Sequence, residues 1–479
     1  MEQKRRITWY VVIGLVVVGL IAVLWVRYAG MQRLMGELDS KHPEIQTRAA
    51  RVLLQKGVLG DSLPAQSEKR RSNAAVAVGR VGTDAAMKEL VALIKDPEDL
   101  PQRAAAKAMG RLGAKAIRFL LPVLKEGDDR AKAAAVTAFD IIGEPAVPAL
   151  TKALRNKDRR AQAAIALGKI GGSGLEPLLR AARSKNDELR KIAIQVLGEA
   201  RDKRAAPAAI AALRKKDLRR TAIIALGLMG DPQTTAYLLP YLNDGDLRID
   251  AATSVGQIGD PRATAPLLAA LRDPERQFHE RGVWALRRIG VPGVPVMTAA
   301  LHGDSAYVRG AAAEGLRWTH VPGSIPPLVS ALDDSDWMVR VAAARALGWA
   351  GNAAAVQPLL ATFNDQDWRV SAAAVTALGD VDGPAVEPLV ALFNSPDPIK
   401  QMLASEALVE MGNTVVPRLL QASRSASAPT TVWAVITLGK VGDRAAVDRL
   451  RELAATGEGR IKWAAGEALR RLGGEKIPG

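Results

Sequence analysis

The feature that most constrains this chain is a motif that recurs about every 30 residues through most of its 479 positions. Six clear copies end in a glycine after a run of apolar residues: ALGKIG (Gly171), ALGLMGD (Gly230), SVGQIGD (Gly259), ALRRIG (Gly290), ALGWAG (Gly351) and TLGKVGD (Gly442). Gly230, Gly259 and Gly290 are 29 and 31 residues apart. A period of this length indicates stacked supersecondary units, each of which buries its apolar face only against its neighbours. The sequence therefore predicts one continuous array of repeats instead of several separate domains.

Each repeat is predicted to contain two short antiparallel helices. Ala251 and Val255 recur at helical spacing in one segment, and Leu267 and Leu271 do so in the next. Pro261 follows the aspartate that begins a turn, a position where the missing N–H is tolerated. The glycine follows the last apolar residue, which is the usual place for a helix to stop. Alanine dominates the second helix because stacked backbones must approach closely.

The second-helix motif consists of an aspartate, an aliphatic residue, a basic residue and then AAxxALG. It stands in this chain as DELRKIAIQVLG, DLRRTAIIALG, DLRIDAATSVG and DSDWMVRVAAARALG. This pattern resembles the HEAT-repeat family in its short bacterial, phycobilisome-lyase-like form, and the resemblance covers roughly residues 40–475. It implies an all-α fold, an α-solenoid of about fourteen stacked helix pairs. It implies little about function, because such repeats serve many unrelated tasks.

A long uncharged segment precedes the repeats. Residues 7–26 (ITWYVVIGLVVVGLIAVLWV) carry no charge, and 20 residues at about 1.5 Å each span the roughly 30 Å hydrocarbon layer. Trp9, Tyr10 and Trp25 lie near the ends, where amphipathic rings favour the interface. We expect a basic tail at 1–6, a transmembrane helix at 7–26, a juxtamembrane helix at 27–43 and the solenoid at 44–479. A cleaved signal peptide is the alternative, although its apolar run is usually shorter.

Charges on the two sides of this segment bear on its orientation. The basic residues 4–6 favour a cytoplasmic amino terminus, which places the repeats outside the cytoplasm. Arg27, Arg33 and Lys41 follow the span and weaken that bias. The expected location is therefore a single-pass membrane protein with extracytoplasmic repeats, and a cytoplasmic solenoid is the alternative.

No pattern in the chain indicates an active site. There is no cysteine, so disulfides and thiolate ligands are excluded, and neither a GxSxG turn nor a glycine-rich phosphate loop is present. One enzyme family with HEAT repeats, the deoxyhypusine hydroxylases, binds two irons through several His-Glu pairs. This chain has the single pair His279–Glu280 and four histidines in all, fewer ligands than a di-iron centre needs. We expect a non-enzyme without metal or cofactor, and a lyase-like or hydroxylase-like enzyme remains a remote alternative.

A row of basic residues occupies one position of the second helix. Its successive members are one repeat apart, which is 29 to 31 residues: Arg160, Arg190, Arg219, Arg248, His279, Arg309 and Arg340. Such a ladder is suited to binding phosphates or carboxylates. Alternatively, each arginine bridges to aspartates in the adjacent turns, such as Asp187, Asp217, Asp246 and Asp336, and caps their carbonyls. The resemblance to HEAT repeats implies this structural role.

Four tryptophans stand in positions that are mostly polar in other copies. Trp318 and Trp349 share one position before the turn between repeats, 31 residues apart, and Trp337 and Trp368 share another at the start of the second helix, also 31 apart. The two positions lie about 18 Å apart on a helix, at two different edges of the array. We predict that these four residues contact a protein partner. The alternative is that the rings fold back over neighbouring turns.

The net charge of +16 is unevenly distributed: residues 151–220 contain 19 basic and 7 acidic residues, whereas residues 301–400 contain 6 and 11. Turn cations in the basic stretch are predicted to contact a polyanion: Arg155, Lys157, Arg183, Lys185, Arg214, Lys215 and Lys216. Anionic lipid or an envelope polymer is the expected ligand, and nucleic acid only if the repeats are cytoplasmic. The stretch lacks aromatic residues for base stacking. An ordinary solvated helix face is the alternative.

These observations together favour a membrane-anchored, non-catalytic scaffold or adaptor. Its acidic, tryptophan-bearing repeats are the predicted protein contact, and polyanion binding through residues 151–220 is the alternative function.

Overall fold

Helices account for all the regular secondary structure of the described residues, which are 2–272 and 275–473, with side chains from residue 15 onward. In this computed structural model those ranges contain thirty α-helices joined by short 3-10 turns, and no β-strand. The chain divides into two compact units between residues 225 and 226, inside the helix Lys216–Met229. The predicted all-α solenoid fold is confirmed.

The first unit contains the amino-terminal helix and the earlier repeats. Its helices are α1 Glu2–Glu37, α2 Pro43–Gln55, α3 Leu59–Ser62, α4 Glu68–Val81, α5 Asp84–Ile94, α6 Asp99–Arg111, α7 Ile117–Glu126, α8 Asp129–Ile142, α9 Val147–Ala153, α10 Arg160–Ile170, α11 Leu175–Ala181, α12 Asp187–Glu199, α13 Ala206–Ala212 and α14 Lys216–Met229. The opening repeat is irregular, because only the four-residue α3 forms between α2 and α4.

The second unit contains the later repeats. Its helices are α15 Thr235–Leu238, α16 Arg248–Ile258, α17 Thr264–Ala270, α18 Arg276–Ile289, α19 Val294–Ala300, α20 Ala306–Leu316, α21 Ile325–Ser330, α22 Trp337–Trp349, α23 Val356–Ala361, α24 Trp368–Val381, α25 Gly383–Ala391, α26 Pro398–Glu410, α27 Val416–Ala422, α28 Ala428–Val441, α29 Val447–Thr456 and α30 Gly459–Arg471. From α4 onward the even-numbered helices are the second helices of their repeats, and most of them carry a version of the AAxxALG motif. Its glycine is replaced in the repeats of α8, α18, α20, α26 and α30.

The glycine of the ALG motif sets how closely neighbouring second helices pack. A Cβ added to Gly79 would lie 2.7 Å from the Cβ of Ala108, and one added to Gly348 would lie 2.4 Å from the Cα of Ala377. Atoms at those separations overlap, so this position requires glycine wherever two backbones touch. Where this glycine is present, the alanine-rich faces of successive second helices therefore pack in direct contact.

The second glycine of the motif ends the helix in the left-handed region, with φ of 71° at Gly259 and 66° at Gly290. The same position holds Arg201, His320 and Asp382 in three repeats, and these residues keep the left-handed φ, at 54°, 51° and 57°. A side chain in this conformation costs on the order of 1–3 kcal/mol. The turns at Arg201, His320 and Asp382 therefore keep the positive φ of the glycine turns.

Helix α1 runs without a break from Glu2 to Glu37. Its segment Leu15–Glu37, 23 residues with a mean hydropathy of 1.7, is long and apolar enough to cross a membrane, and its most apolar stretch is not buried in the fold. At its end Met35 and Leu38 are fully buried, so the helix is packed onto the first repeat. The side chains of the predicted basic tail, residues 1–6, and of residues 7–14 of the predicted span lie outside those described.

Candidate functional site

Several members of the arginine ladder link one repeat to the next. Arg309 donates from Nε and Nη2 to the two carboxylate oxygens of Asp334, at 2.6 and 2.8 Å, and from Nη1 to the carbonyl of Gly303 at 2.9 Å. Arg340 repeats this arrangement with Asp365, at 2.7 and 2.8 Å, and with the carbonyl of Asp334 at 2.9 Å. Each guanidinium therefore satisfies a helix-end carbonyl and a carboxylate 25 residues ahead.

The partners of these arginines differ from those that the sequence suggested. Asp336 does not pair with Arg340; its carboxylate instead accepts the backbone N–H of Met338 at 2.8 Å and caps α22. The predicted aspartate adjoins the arginine in sequence, but the guanidinium reaches forward across the interface between repeats. Arg190 is the exception, since it lies 3.4 Å from Asp187 in its own turn.

Other ladder arginines also donate to a helix-end carbonyl or to a carboxylate of the next repeat. Arg160 donates to the carbonyl of Leu154 at 3.1 Å and to Glu188 at 2.7 Å, Arg219 donates to the carbonyl of Leu213 at 3.0 Å, and Arg248 pairs with Glu275. Sequence comparison of the repeats missed one further member, Arg71, which forms two hydrogen bonds with Asp96 at 2.7 and 2.8 Å. These contacts engage the guanidinium groups with the fold itself.

The ladder also sets the ionisation of its carboxylates. Burial by itself raises the pKa of Asp334, but the hydrogen bonds from Arg309 and the charges of Arg309 and Arg340 outweigh it, so the pKa is lowered. The balance at Asp365, with Arg340 as its donor, has the same sign. Both carboxylates are therefore ionised at neutral pH and stabilise the interfaces between repeats.

His279 occupies a ladder position without the hydrogen bonds of an arginine. Its imidazole is partly buried, which lowers its pKa, and its Nδ1 has no hydrogen-bond partner among the described residues. Its ring lies edge-on to Tyr307 at a centroid distance of 6.4 Å. The adjoining Glu280 accepts a hydrogen bond from Nε of Arg276 at 2.9 Å. Over residues 15–272 and 275–473 no three His, Asp or Glu side chains are grouped as a metal site would require.

Trp318 and Trp349 form one cluster with two arginines. The two indole rings lie edge to face at 4.6 Å between centroids, and the guanidinium of Arg287 lies 3.7 Å from the Trp318 ring centroid. Arg317 lies over both rings, at 5.0 and 5.4 Å. The Trp349 Nε1–H donates to Nε2 of His320 at 3.0 Å. This hydrogen bond holds His320, the residue with positive φ in the turn, against the cluster. These rings are therefore packed together and only partly exposed.

In this cluster, arginines replace the close-packing glycine of most second helices. Arg287 and Arg317 occupy the position that holds the close-packing glycine elsewhere, for example Gly256 and Gly348, so their side chains extend over the neighbouring tryptophans. Nearby Glu314 lies 3.9 Å from both Arg317 and Arg345. Burial raises the pKa of Glu314, and the two arginines only partly offset that effect.

Trp337 and Trp368 occupy equivalent positions but have different surroundings. The guanidinium of Arg369 lies 3.3 Å from the Trp337 ring centroid and is fixed by hydrogen bonds to Asp367 at 2.6 and 2.9 Å. Trp337 is thus covered by a cation, whereas Trp368 is 76% exposed. The four tryptophans are therefore not one surface: Trp318 and Trp349 form an edge-to-face pair, Trp337 is covered and Trp368 projects into solvent.

The next repeat explains why Trp368 stays uncovered. Asp367 and Asp397 cap their helices by accepting the backbone N–H of Arg369 and Ile399, at 3.0 and 2.8 Å. Ile399 therefore occupies the position where Arg369 stands one repeat earlier, and it is 58% exposed. Met402, three residues further along the same face of α26, is 44% exposed. We call Trp368, Ile399 and Met402 the Trp368 edge.

The charges around this edge are mainly negative. Arg309, Arg340 and Arg369 are neutralised by their carboxylate partners. Several carboxylates in the turns before α20, α22 and α26 have no cationic partner among the described residues: Asp304, Asp333, Asp336 and Asp397. Lys400, on α26, is a cation that has no ion pair among the described residues. The electrostatic potential of this surface therefore favours a basic ligand.

The seven predicted polyanion contacts are all exposed side chains in the first unit. Arg155, Arg183 and Arg214 follow α9, α11 and α13 at equivalent places, so successive turns present a cation at the same edge. Lys215 bridges to Asp187 at 2.8 Å. The other six have no ion pair or hydrogen bond through the side chain among the residues that the structure describes, which leaves a row of unneutralised charge.

Several proteins of known structure are similar to this chain. The complex of CpcE and CpcF of phycocyanin lyase from Nostoc sp. PCC7120 is 24% identical; the match covers 49% of this chain and 93% of that one, with a TM-score of 0.25. Human deoxyhypusine hydroxylase is also 24% identical; the match covers 49% of this chain and 95% of that one, with a TM-score of 0.22. Kap121p is 12% identical; the match covers 93% of this chain and 56% of the Kap121p chain, with a TM-score of 0.48. No curated protein sequence matches. The family model for HEAT repeats matches overlapping stretches from residue 57 to residue 470. The chain therefore belongs to the HEAT-repeat family.

Proposed function

We propose that this protein is a membrane-anchored scaffold that binds a partner protein through the Trp368 edge. The observation that carries the proposal is the 76% exposure of Trp368 beside two further exposed apolar side chains. A soluble fold has no structural use for such a ring at a position where the preceding repeat covers its tryptophan with an arginine. Burying an exposed tryptophan at an interface contributes about 2–4 kcal/mol, which is typical of a binding hot spot.

The charges around the edge indicate the chemistry of the partner. Asp333, Asp336 and Asp397 favour a ligand segment that carries Lys or Arg side chains. Trp368 and Ile399 favour one that also carries a large apolar residue. The expected partner is therefore a basic protein segment with an apolar anchor that packs against the indole ring.

The remaining parts of the proposal concern placement. Helix α1 serves as the membrane anchor, with residues 1–6 as a basic tail, 7–26 as the span, 27–43 as the juxtamembrane helix and 44–479 as the solenoid. The basic residues at 4–6 support a cytoplasmic amino terminus and extracytoplasmic repeats. The protein acts by holding its partner at the membrane and carries out no chemical step.

A photo-crosslinking residue tests the edge directly. Trp368 is replaced by p-benzoylphenylalanine in the full chain, and Trp463, which is 66% exposed on α30, is replaced in the same way as a matched control. Irradiation of intact cells should give a discrete adduct at position 368 that weakens when Ile399→Asp is added. Equal adducts at both positions, or none at position 368, would contradict the proposal.

Polyanion binding by the basic turns is a second candidate function. Its support is the row of six exposed cations without partners, repeated in three successive turns at residues 155–157, 183–185 and 214–216. A chain that neutralises several anionic groups releases their counterions, so its affinity falls steeply with added salt.

The test of this second function uses inorganic polyphosphate and the full chain in neutral detergent. The pair Lys157→Glu and Lys185→Glu should weaken binding and flatten the salt dependence. The matched pair Lys88→Glu and Lys115→Glu, exposed on other elements of the same unit, should bind as the natural chain does. A flat salt response in the natural chain would exclude this function.

A further inference from the structure

Helix α6 of the first unit has an open cavity on each side. The first, about 510 Å³, lies between α4 and α6, and the second, about 620 Å³, lies between α6 and α8. Arg103 and Lys107 line both cavities. Neither cavity involves the residues that the sequence analysis selected, and neither includes the Trp368 edge.

The first cavity has a marked excess of positive charge. Its charged lining residues are Arg80, Arg103, Lys107 and Arg111, and no carboxylate lines it. Arg103 pairs with Asp99 at 2.8 Å, and Arg80 donates to the neutral side chain of Gln46 at 3.0 Å. Lys107 and Arg111 have no partner among the described residues. The cavity therefore carries cations that the fold leaves unneutralised.

The floor of this cavity is apolar. Gly79 and Ala108 approach so closely that a Cβ on the glycine would lie 2.7 Å from the alanine Cβ, which joins α4 to α6 beneath the opening. Leu112 is partly exposed on one side, and Leu100 is 53% exposed on the other. A large leucine that points into solvent beside a cationic rim is suited to an amphipathic ligand.

The second cavity differs in charge. Its mouth includes Glu98 and Asp99 as well as Arg103, Lys107 and Arg130. Arg130 also donates to the carbonyl of Pro97 at 3.3 Å. Opposite charges are therefore present in similar numbers, and this cavity has no preference for an anion that compares with that of the first.

We infer that the cavity between α4 and α6 binds an acidic amphipathic segment of a partner protein. Lys107 and Arg111 are one helical turn apart, so they face carboxylates at a comparable spacing on the ligand. Arg80 on α4 faces the same space from the other side, and Leu100 and Leu112 contact the apolar residues of the ligand. This ligand has the opposite charge to the one proposed for the Trp368 edge, and the two sites lie in different units.

A defined peptide tests the inference. The probe is a fluorescein-labelled 16-residue helix with Glu at i and i+4 and Leu on the adjoining face, and its control is the same peptide with Gln in place of Glu. The full chain is held in nanodiscs of phosphatidylcholine, and binding is followed by fluorescence anisotropy. The acidic peptide should bind, and the Gln peptide should bind at least about tenfold more weakly.

Two pairs of variants locate the binding. Lys107→Glu with Arg111→Glu should weaken peptide binding by about tenfold or more, since two attractions become repulsions. Lys88→Glu with Lys115→Glu makes the same change in net charge at exposed positions of the same unit that line neither cavity, and it should leave peptide binding unchanged. Circular dichroism establishes that each variant is as helical as the natural chain.

Three results would overturn the inference. The first is no binding of the acidic peptide, and the second is equal weakening by both pairs of variants. The third is binding to phosphatidylglycerol vesicles that depends on Lys107 and Arg111 while the peptide does not bind. That result would assign the cavity to anionic lipid instead. Because the crosslinking test uses residues of the second unit, failure here leaves the Trp368 proposal standing.

Discussion

Replacing Gly348 with alanine tests the close packing of second helices on which the whole array depends. Gly348 lies within α22, where a Cβ would be 2.4 Å from the Cα of Ala377, 2.6 Å from its Cβ and 2.8 Å from its carbonyl oxygen. Two of these three atoms belong to the backbone and cannot rotate away. The two helices must therefore move apart to admit one methyl group.

The expected magnitude follows from two opposing terms. Alanine in place of glycine inside a helix favours folding by about 1 kcal/mol. Overpacking a close contact costs about 1–3 kcal/mol. The net expectation for Gly348→Ala is a loss of up to about 2 kcal/mol. Gly310, within α20, has no atom within 4 Å of its added Cβ, so Gly310→Ala retains only the favourable term of about 1 kcal/mol.

Denaturant unfolding followed by circular dichroism distinguishes the two substitutions. Because repeat arrays unfold through neighbouring units and not always in one step, the comparison uses the onset and midpoint of the transition. The two variants should shift the midpoint in opposite directions. Stabilisation by both substitutions would show that α22 and α24 tolerate a side chain at their contact, and this would refute the packing argument.

Three further predictions concern other parts of the chain. The pKa of Asp365 in the folded protein lies below its ordinary value of 3.8, so its ion pair stabilises the fold above about pH 4. This stabilisation is lost as the pH falls through the folded pKa, and Asp365→Asn should therefore reduce the loss of stability in acid, measured by unfolding at a series of pH values. Trp337→Ala should lower the melting temperature because it removes the stacking partner of Arg369, whereas Trp368→Ala should not, and equal effects would contradict this difference. With no native cysteine in the chain, Asn364→Cys on an exposed turn should be labelled in intact cells by a membrane-impermeant maleimide that can cross any outer envelope, and protection until lysis would place the repeats in the cytoplasm.

The ladder shows how far a periodic sequence predicts a site. The spacing of Arg309 and Arg340 selected residues that do lie at one place in successive second helices. It could not identify Asp334 and Asp365 as their acceptors, because an arginine is flexible and several aspartates lie within its reach. Which carboxylate accepts the hydrogen bonds depends on the offset between neighbouring repeats.

The tryptophans show where the same reasoning fails. Alignment of the copies gave Trp337 and Trp368 the same surroundings, yet one is covered by a guanidinium and the other is bare. The difference arises from a single position one repeat later, Arg369 in one case and Ile399 in the other. A contact between repeats belongs to two copies at once, so it is not visible when each copy is read alone.

The cavity beside α6 was missed for a related reason. Arg103, Lys107 and Arg111 are spaced four residues apart, and this signal for one cationic helix face was present in the sequence. The net charge of whole segments does not single out this helix, because it lies outside the most basic segment, residues 151–220. Only the neighbouring α4 shows that the face borders an opening with an apolar floor.

The amino-acid sequence alone is enough to predict the class of fold, the helix pairs, the glycine turns and the apolar segment at the amino terminus. These features are local or periodic, so they follow from helical spacing and from the conformations that each residue type allows. The tertiary structure decided which carboxylate each arginine reaches, which tryptophan remains exposed and where two helices leave a cavity. Those outcomes depend on distances between side chains about 30 residues apart, and such distances are fixed only when neighbouring repeats are packed together.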